Sequence, residues 1–115
     1  MRRLCDSLNA AEYAGFQIPL HFFVDGGNLP RVVEFANSFQ WNHGSKFVHE
    51  SADRLGLMNN IVQSWNPAHP YELCFFFEDD VEVSSLHLCA SNTAVYNACA
   101  VVSDVYILRR FCSQP

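Results

Sequence analysis

Between Arg2 and Tyr13 the apolar residues Leu4, Cys5 and Leu8 recur at helical spacing, with Ala10 and Ala11 behind them. That pattern predicts an amphipathic helix over 2–13, stopped near Gly15. The spacing then changes. Residues 18–24, IPLHFFV, are short, aromatic and β-branched, and they end abruptly at Asp25-Gly26-Gly27, which predicts a buried strand running into a turn. Pro30 stands where the first turn of a helix tolerates proline. Val32, Val33, Phe35, Ala36 and Phe39 follow on one broad helical face, so a helix is expected over 30–40, with His43-Gly44 as the next turn.

Lys46 to His49 predicts a second short strand, and Leu57, Met58, Ile61, Val62 and Trp65 predict a third helix within 55–65. Pro67 and Pro70 then enforce a loop. Leu73 to Phe77 is the most apolar strand of the chain. Its run shows no alternation, which predicts burial on both faces, as in a parallel sheet covered by helices. Helix, strand, helix, strand, helix, strand implies an α/β fold whose sheet is parallel, with 18–24 and 73–77 as neighbouring strands. Beyond Ser85 the signals mix. Ala94, Val95, Ala98 and Val102 form a helical stripe, and 85–101 reads as helix, whereas 101–108 is rich enough in Val, Tyr and Ile for a strand.

In an open parallel α/β sheet, ligands bind beyond the carboxyl ends of the strands. Two such ends carry acids here. The first strand ends in Asp25, and the stretch CFFFEDDVEVSS drives the third into Glu78, Asp79 and Asp80. Side chains alternate along a strand, so Glu78 and Asp80 face one way and Asp79 the other, with the outer pair roughly 6.6 Å apart along the chain. Such a pair suits a hard divalent cation, Mg²⁺ or Mn²⁺, completed by phosphate oxygens of a ligand. Two other readings stay open: a solvated acidic turn, or a carboxylate pair of a glycoside hydrolase, which needs its acids about 5–9 Å apart across a sugar. Gly26-Gly27 permits close approach of a nucleotide to the backbone, or serves a loop needing positive φ.

Composition narrows these options. Half of the 115 residues are hydrophobic and 17% are charged, which excludes a disordered chain. Net charge is −5 and the seven Lys and Arg are scattered, so no nucleic-acid footprint exists, and none of them lies near either acidic strand end in sequence. The five cysteines are odd in number and lack CxxC spacing, which argues against a zinc site or a disulfide framework. The five histidines share no i, i+4 pair. Met-Arg-Arg-Leu-Cys-Asp-Ser is not a signal peptide, and no apolar run reaches the length of a membrane span, so the chain reads as soluble.

The stretch FFFEDDVEVSS resembles the strand and acidic EDD or DXD motif of glycosyltransferases with the A-type fold. PLHFFVDGG resembles an earlier strand of those enzymes, RLGLMNNIVQSW the segment between the two, and RRLCDSLNAAEY the helix after their first strand. Family-2-like enzymes and the N-acetylglucosaminyltransferase I type share the EDD form. The resemblance covers residues 2–88 in order. It implies a Rossmann-like, parallel-sheet domain that binds a nucleotide-sugar donor, a UDP-sugar by analogy, with Mn²⁺ or Mg²⁺ as cofactor. It implies that Asp80 contacts the metal together with Glu78, that Glu78 and Asp79 hold the ribose or uracil and the metal's water shell, and that Asp25 and Gly26 face the nucleoside. The acceptor and any catalytic base remain unassigned.

Three departures follow from the same comparison. Arg54 stands where such enzymes commonly have Asn before Leu-Gly-Leu. A first strand before the first helix is missing, and so is an acceptor half. The expectation is therefore a partial nucleotide-sugar-binding domain at 1–88 with a divergent tail at 89–115, inactive without its acceptor half. The alternative is a non-catalytic remnant or partner-binding module.

Overall fold

The computed structural model of the chain describes residues 1–27, 30–64, 66, 73–85, 100–103 and 105–111, with backbone alone for 73–74 and 100–111. The elements run α1 (Arg2–Ala10), β1 (Leu20–Val24), α2 (Pro30–Ser38), β2 (Lys46–Glu50), α3 (Leu57–Ser64), β3 (Leu73–Glu78), β4 (Ala100–Ser103) and β5 (Val105–Phe111). Every helix and strand expected up to residue 78 is present; the three helices and β1 are shorter by a few residues at their ends, while β2 and β3 each run one residue further. α1 stops at Ala10 because Ala11 turns extended and the Tyr13 hydroxyl donates to the Leu8 carbonyl at 2.6 Å, occupying an acceptor of the last turn. β1 begins after Pro19, which has no N–H to offer a ladder.

One sheet holds the strands in the order β2-β1-β5-β3-β4. β1 pairs with β2 in parallel, Phe22 opposite Val48, and β3 pairs with β4 in parallel. β5 runs antiparallel to both β1 and β3. β1 and β3 therefore point the same way, but they are not the direct neighbours the sequence suggested, because β5 stands between them. A late strand enters the sheet to satisfy backbone groups that β1 and β3 would otherwise leave open, and pairing of that range has no local signature. The expected helix at 85–101 falls on 86–99, outside the described residues, apart from 100–101, which are strand.

The core lies on one face of the sheet. Leu20, Phe22 and Val24 of β1 bury against Leu4, Cys5 and Leu8 of α1 and Ala36 of α2, and Val48, Phe75 and Phe77 close the layer. Each such apolar side chain contributes about 1.5–3 kcal/mol when fully buried. Lys46 secures α2 to β2, since its Nζ donates to the carbonyls of Ala36, Asn37 and Phe39 at 2.7–2.8 Å, the open acceptors of the helix end.

The opposite face is more open, which corrects the expectation of burial on both faces of 73–77. Along 75–80 the exposure alternates, with Phe75 and Phe77 turned to the core and Phe76 37% exposed. On β1 and β2 the same open face carries His21, Phe23, Phe47 and His49, stacked in close ring contacts. The apolar stripe expected to bury α3 is likewise turned outward. Met58 and Val62 are each 69% exposed, and the buried positions of the helix are Asn60 and Ser64. No helix among the described residues is long and apolar enough to cross a membrane.

Candidate functional site

The carboxyl ends of β1 and β3 lie on the same edge of the sheet, because both strands run against β5. Leu20 and Phe75 each pair with Arg109, so counting three residues forward puts Phe23 level with Glu78, the last residue of β3; Asp25 follows the end of β1, and Asp79 and Asp80 turn away after β3. One strand separates the two ends, which sets them about 10 Å apart across the sheet. The edge thus brings together the acids that the sequence places 55 positions apart (80 − 25).

The two ends are built differently. Asp25 is buried, at 6% exposure. Its Oδ1 accepts the N–H of Gly26 at 2.9 Å and of Leu55 at 2.7 Å, and its Oδ2 accepts the N–H of Gly56 at 3.0 Å. The carboxylate ties the 53–56 loop and the start of α3 to the end of β1. Gly26 completes the joint. A Cβ there would stand 2.3 Å from the carbonyl carbon of Asp53 and 2.8 Å from the nitrogen of Arg54, so the close approach this glycine permits is by the protein's own backbone. Gly27 adopts φ +79°, the left-handed region glycine tolerates best.

At the other end Glu78 and Asp80 are exposed and Asp79 is half-buried. Asp79 faces α1: its carbonyl accepts the nitrogen of Met1, and its carboxylate lies 3.9 Å from the same atom. From there the chain follows α1, with the Val83 N–H donating to the Ser7 hydroxyl at 3.1 Å and the Glu12 N–H to the Ser85 carbonyl at 2.9 Å. These bonds hold Asp79 towards α1, while Glu78 and Asp80 stay exposed at a turn in which the Val81 N–H donates to the Glu78 carbonyl at 3.3 Å.

Among the described residues no group of three or more His, Cys, Asp and Glu side chains could by itself hold a metal ion. The donors present are hard oxygens on Glu78 and Asp80. They fit a Mg²⁺- or Mn²⁺-like ion that takes one or two carboxylates and completes its shell with water and phosphate, rather than an ion caged by protein. Two cavities of about 540 and 400 Å³ open elsewhere. Both are lined by Gln17 with residues near 11–19 and 42–47, towards the amino ends of β1 and β2, and neither touches Asp25 or the 78–80 acids.

The sequence reading gave no site role to Arg54 or Asn60. Arg54 lies far from both strand ends along the chain, yet Asp25 grips the residues directly after it. Asn60, one helical turn beyond Gly56, is 3% exposed, and its Nδ2 has no acceptor among the described residues. A polar residue buried inside an apolar-looking helix leaves no trace in periodicity. Elsewhere, burial pushes the Cys5 thiol up to about 12, making it an inert core residue. Burial also lowers the pKa of His49, whose Nε2 sits 2.9 Å from Nδ1 of His21.

The fold is an α/β arrangement with an acidic carboxyl edge. The chain belongs to the family described as the SPBC1E8.03c C-terminal domain, whose model matches residues 1–99 and so takes in α1 to β3 and both acidic ends. Neither a curated protein nor a solved structure matches the chain.

Proposed function

We propose that this chain is the donor-binding part of a metal-dependent glycosyltransferase of the A-type fold, binding a nucleotide sugar, a UDP-sugar by resemblance. The observation that carries the reading is that Asp25 and the acids from Glu78 to Asp80 stand at the carboxyl ends of two strands on one edge of the sheet, where ligands of α/β sheets bind. In this reading Asp80 and Glu78 offer the metal-binding oxygens, Asp79 orients them from the α1 side, and Asp25 with Gly26 shapes the nucleoside side by holding the 53–56 loop. When bound, a divalent cation supplies neutralisation of the charge that grows on the departing diphosphate. Calorimetric titration of UDP with and without Mn²⁺, on the wild type and Asp80→Ala, tests it. Binding that requires Mn²⁺ and disappears in Asp80→Ala is expected. Binding that survives chelation, or is indifferent to Asp80→Ala, overturns the role of the acids.

A second reading, a non-catalytic partner-binding module, is favoured by the outward apolar face of α3 at Met58 and Val62. A folded chain that ignores UDP and Mn²⁺ at millimolar concentration decides for it.

A further inference from the structure

We propose that His21 and His49 form a binding site for a divalent transition-metal ion of the imidazole-seeking class, Cu²⁺, Ni²⁺ or Zn²⁺, on the open face of β1 and β2. The site lies on the face of the sheet rather than at its acidic edge, and it is independent of the donor-site reading. The two histidines are 28 residues apart in the chain. The parallel register sets His21 opposite Phe47 and Phe23 opposite His49, so the imidazoles meet on the diagonal of one four-residue patch.

The geometry of the pair suits an ion. Nδ1 of His21 stands 2.9 Å from Nε2 of His49, and the two rings are parallel to within 3°. An imidazole nitrogen binds Zn²⁺ at about 2.0–2.1 Å, so two such nitrogens on one ion stand about 2.9 Å apart at a right angle and about 3.3 Å apart at the tetrahedral angle. The right-angle arrangement is the one Cu²⁺ and Ni²⁺ prefer, and Cu²⁺ forms the strongest complexes of the series. Without metal, one of the two nitrogens carries a hydrogen and the other offers its lone pair. On binding, that hydrogen passes through solvent to the far nitrogen of the same ring, and both lone pairs turn to the ion with no net loss of a proton.

The surroundings prepare the pair. His21 stacks against Phe47 at 4.5 Å, and His49 stacks against Phe23 at 4.3 Å, so both rings are oriented before an ion arrives. Burial keeps the His49 ring neutral to lower pH than usual, the form that ligates metal. The cation of β2, Lys46, is turned away and tied to three carbonyls at the end of α2, so it does not repel an ion here. A separate feature supplies room for the rest of the coordination shell. The cavity of about 540 Å³ has His21 and Phe47 in its wall, with the polar side chains of Gln17 and Ser45 beside them. Among the described residues no third His, Cys, Asp or Glu joins the pair. Water or a small oxygen ligand in the cavity therefore completes the shell, and the ion stays exchangeable and open to a ligand, as at sites that keep a free position.

The test uses the full chain as wild type, His21→Gln, His49→Gln and the double variant, with His87→Gln as a control. Zn²⁺ binding is measured by calorimetry in a non-chelating buffer, and the histidine ring resonances are followed during the titration. Electron paramagnetic resonance of the Cu²⁺ form counts its nitrogen ligands. One ion per chain is expected, with the rings of His21 and His49 shifting first and two imidazole nitrogens on Cu²⁺. Each single variant should bind Zn²⁺ about tenfold or more weakly, since the second of two linked ligands adds affinity on at least that scale. The double variant should be no worse than the weaker single one, and His87→Gln should match wild type. Mg²⁺, a hard ion, should leave both rings unmoved. Zn²⁺ that shifts neither ring in the wild type at about 1 mM overturns the proposal without recourse to any variant. Binding that persists in both single variants, or falls in only one of them, also overturns a paired site. Amide spectra of the metal-free variants report their folding directly.

Discussion

Asp25 and Asp80 each follow a strand that ends on the same edge of the sheet, yet the chain uses them in opposite ways. Asp25 is buried and spends its oxygens on three backbone N–H groups. Asp80 is exposed, beyond a strand whose half-buried partner Asp79 is held against α1. The difference shows that an acid at a strand end is two devices in one residue type. Buried and hydrogen-bonded, it is a clamp for a loop. Exposed beside a second carboxylate, it is available to a cation. Burial and local N–H supply decide which, and neither is visible in the letters D or E.

The sharpest way to break this comparison is to remove both acids separately. Asp25→Ala strands several backbone donors at about 1–3 kcal/mol each, so the unfolding free energy is expected to fall by about 3 kcal/mol or more. Asp25→Asn, which keeps the shape but swaps an acceptor for a donor, should lose about 1–2 kcal/mol. Urea unfolding followed by circular dichroism measures both. If Asp25→Ala were as stable as wild type, the clamp would not exist.

Gly26→Ala sharpens the same point from the backbone side. Its methyl group meets the Asp53 peptide, and the loop must part from β1, at an expected cost of about 1–3 kcal/mol. A neutral Gly26→Ala would mean that the loop is not seated where Asp25 holds it. Asp80→Ala is the counterpart with the smallest effect on stability, within about 0.5 kcal/mol, as for an exposed side chain away from packing.

A pH profile separates the acidic edge from the rest of the sheet. His49 titrates at the ordinary 6.5 in the unfolded chain and lower when folded, because burial disfavours the charged ring. Below pH 6.5 the unfolded state therefore binds more protons, and the stability that neutral His49 contributes is lost as pH falls through the folded pKa. His49→Gln should flatten that decline, whereas Asp80→Ala should leave it in place. A decline unchanged by His49→Gln would place the titrating group elsewhere.

Local periodicity was enough to foresee much of the frame. Leu4, Cys5 and Leu8 form the predicted stripe and are fully buried, and Leu20, Phe22 and Val24 fill the core face of β1. Pro30 opens α2 where its missing N–H does no harm. The acidic strand ends were legible too, because a short apolar run closed by acids is a local pattern, and the carboxyl-edge rule needs only strand direction. α3 shows where such reading stops. Its stripe of Leu57, Met58, Ile61 and Val62 predicts a buried face, but a helix buries whatever its neighbours cover, and here Asn60 and Ser64 are covered instead.

By itself, then, the sequence determined which segments up to residue 78 become helices and strands, which face of α1 and β1 is apolar, and that two strands end in acid. Those properties depend on neighbours within a few residues. Tertiary structure alone decided that β5 stands between β1 and β3, that Asp25 reaches 30 residues along the chain to hold Leu55 (55 − 25), and that the 53–56 loop is thereby seated against Gly26 at the end of β1. Each of these is a contact between distant segments. Its free energy comes from backbone groups finding partners once the core has closed, and no local spacing records it.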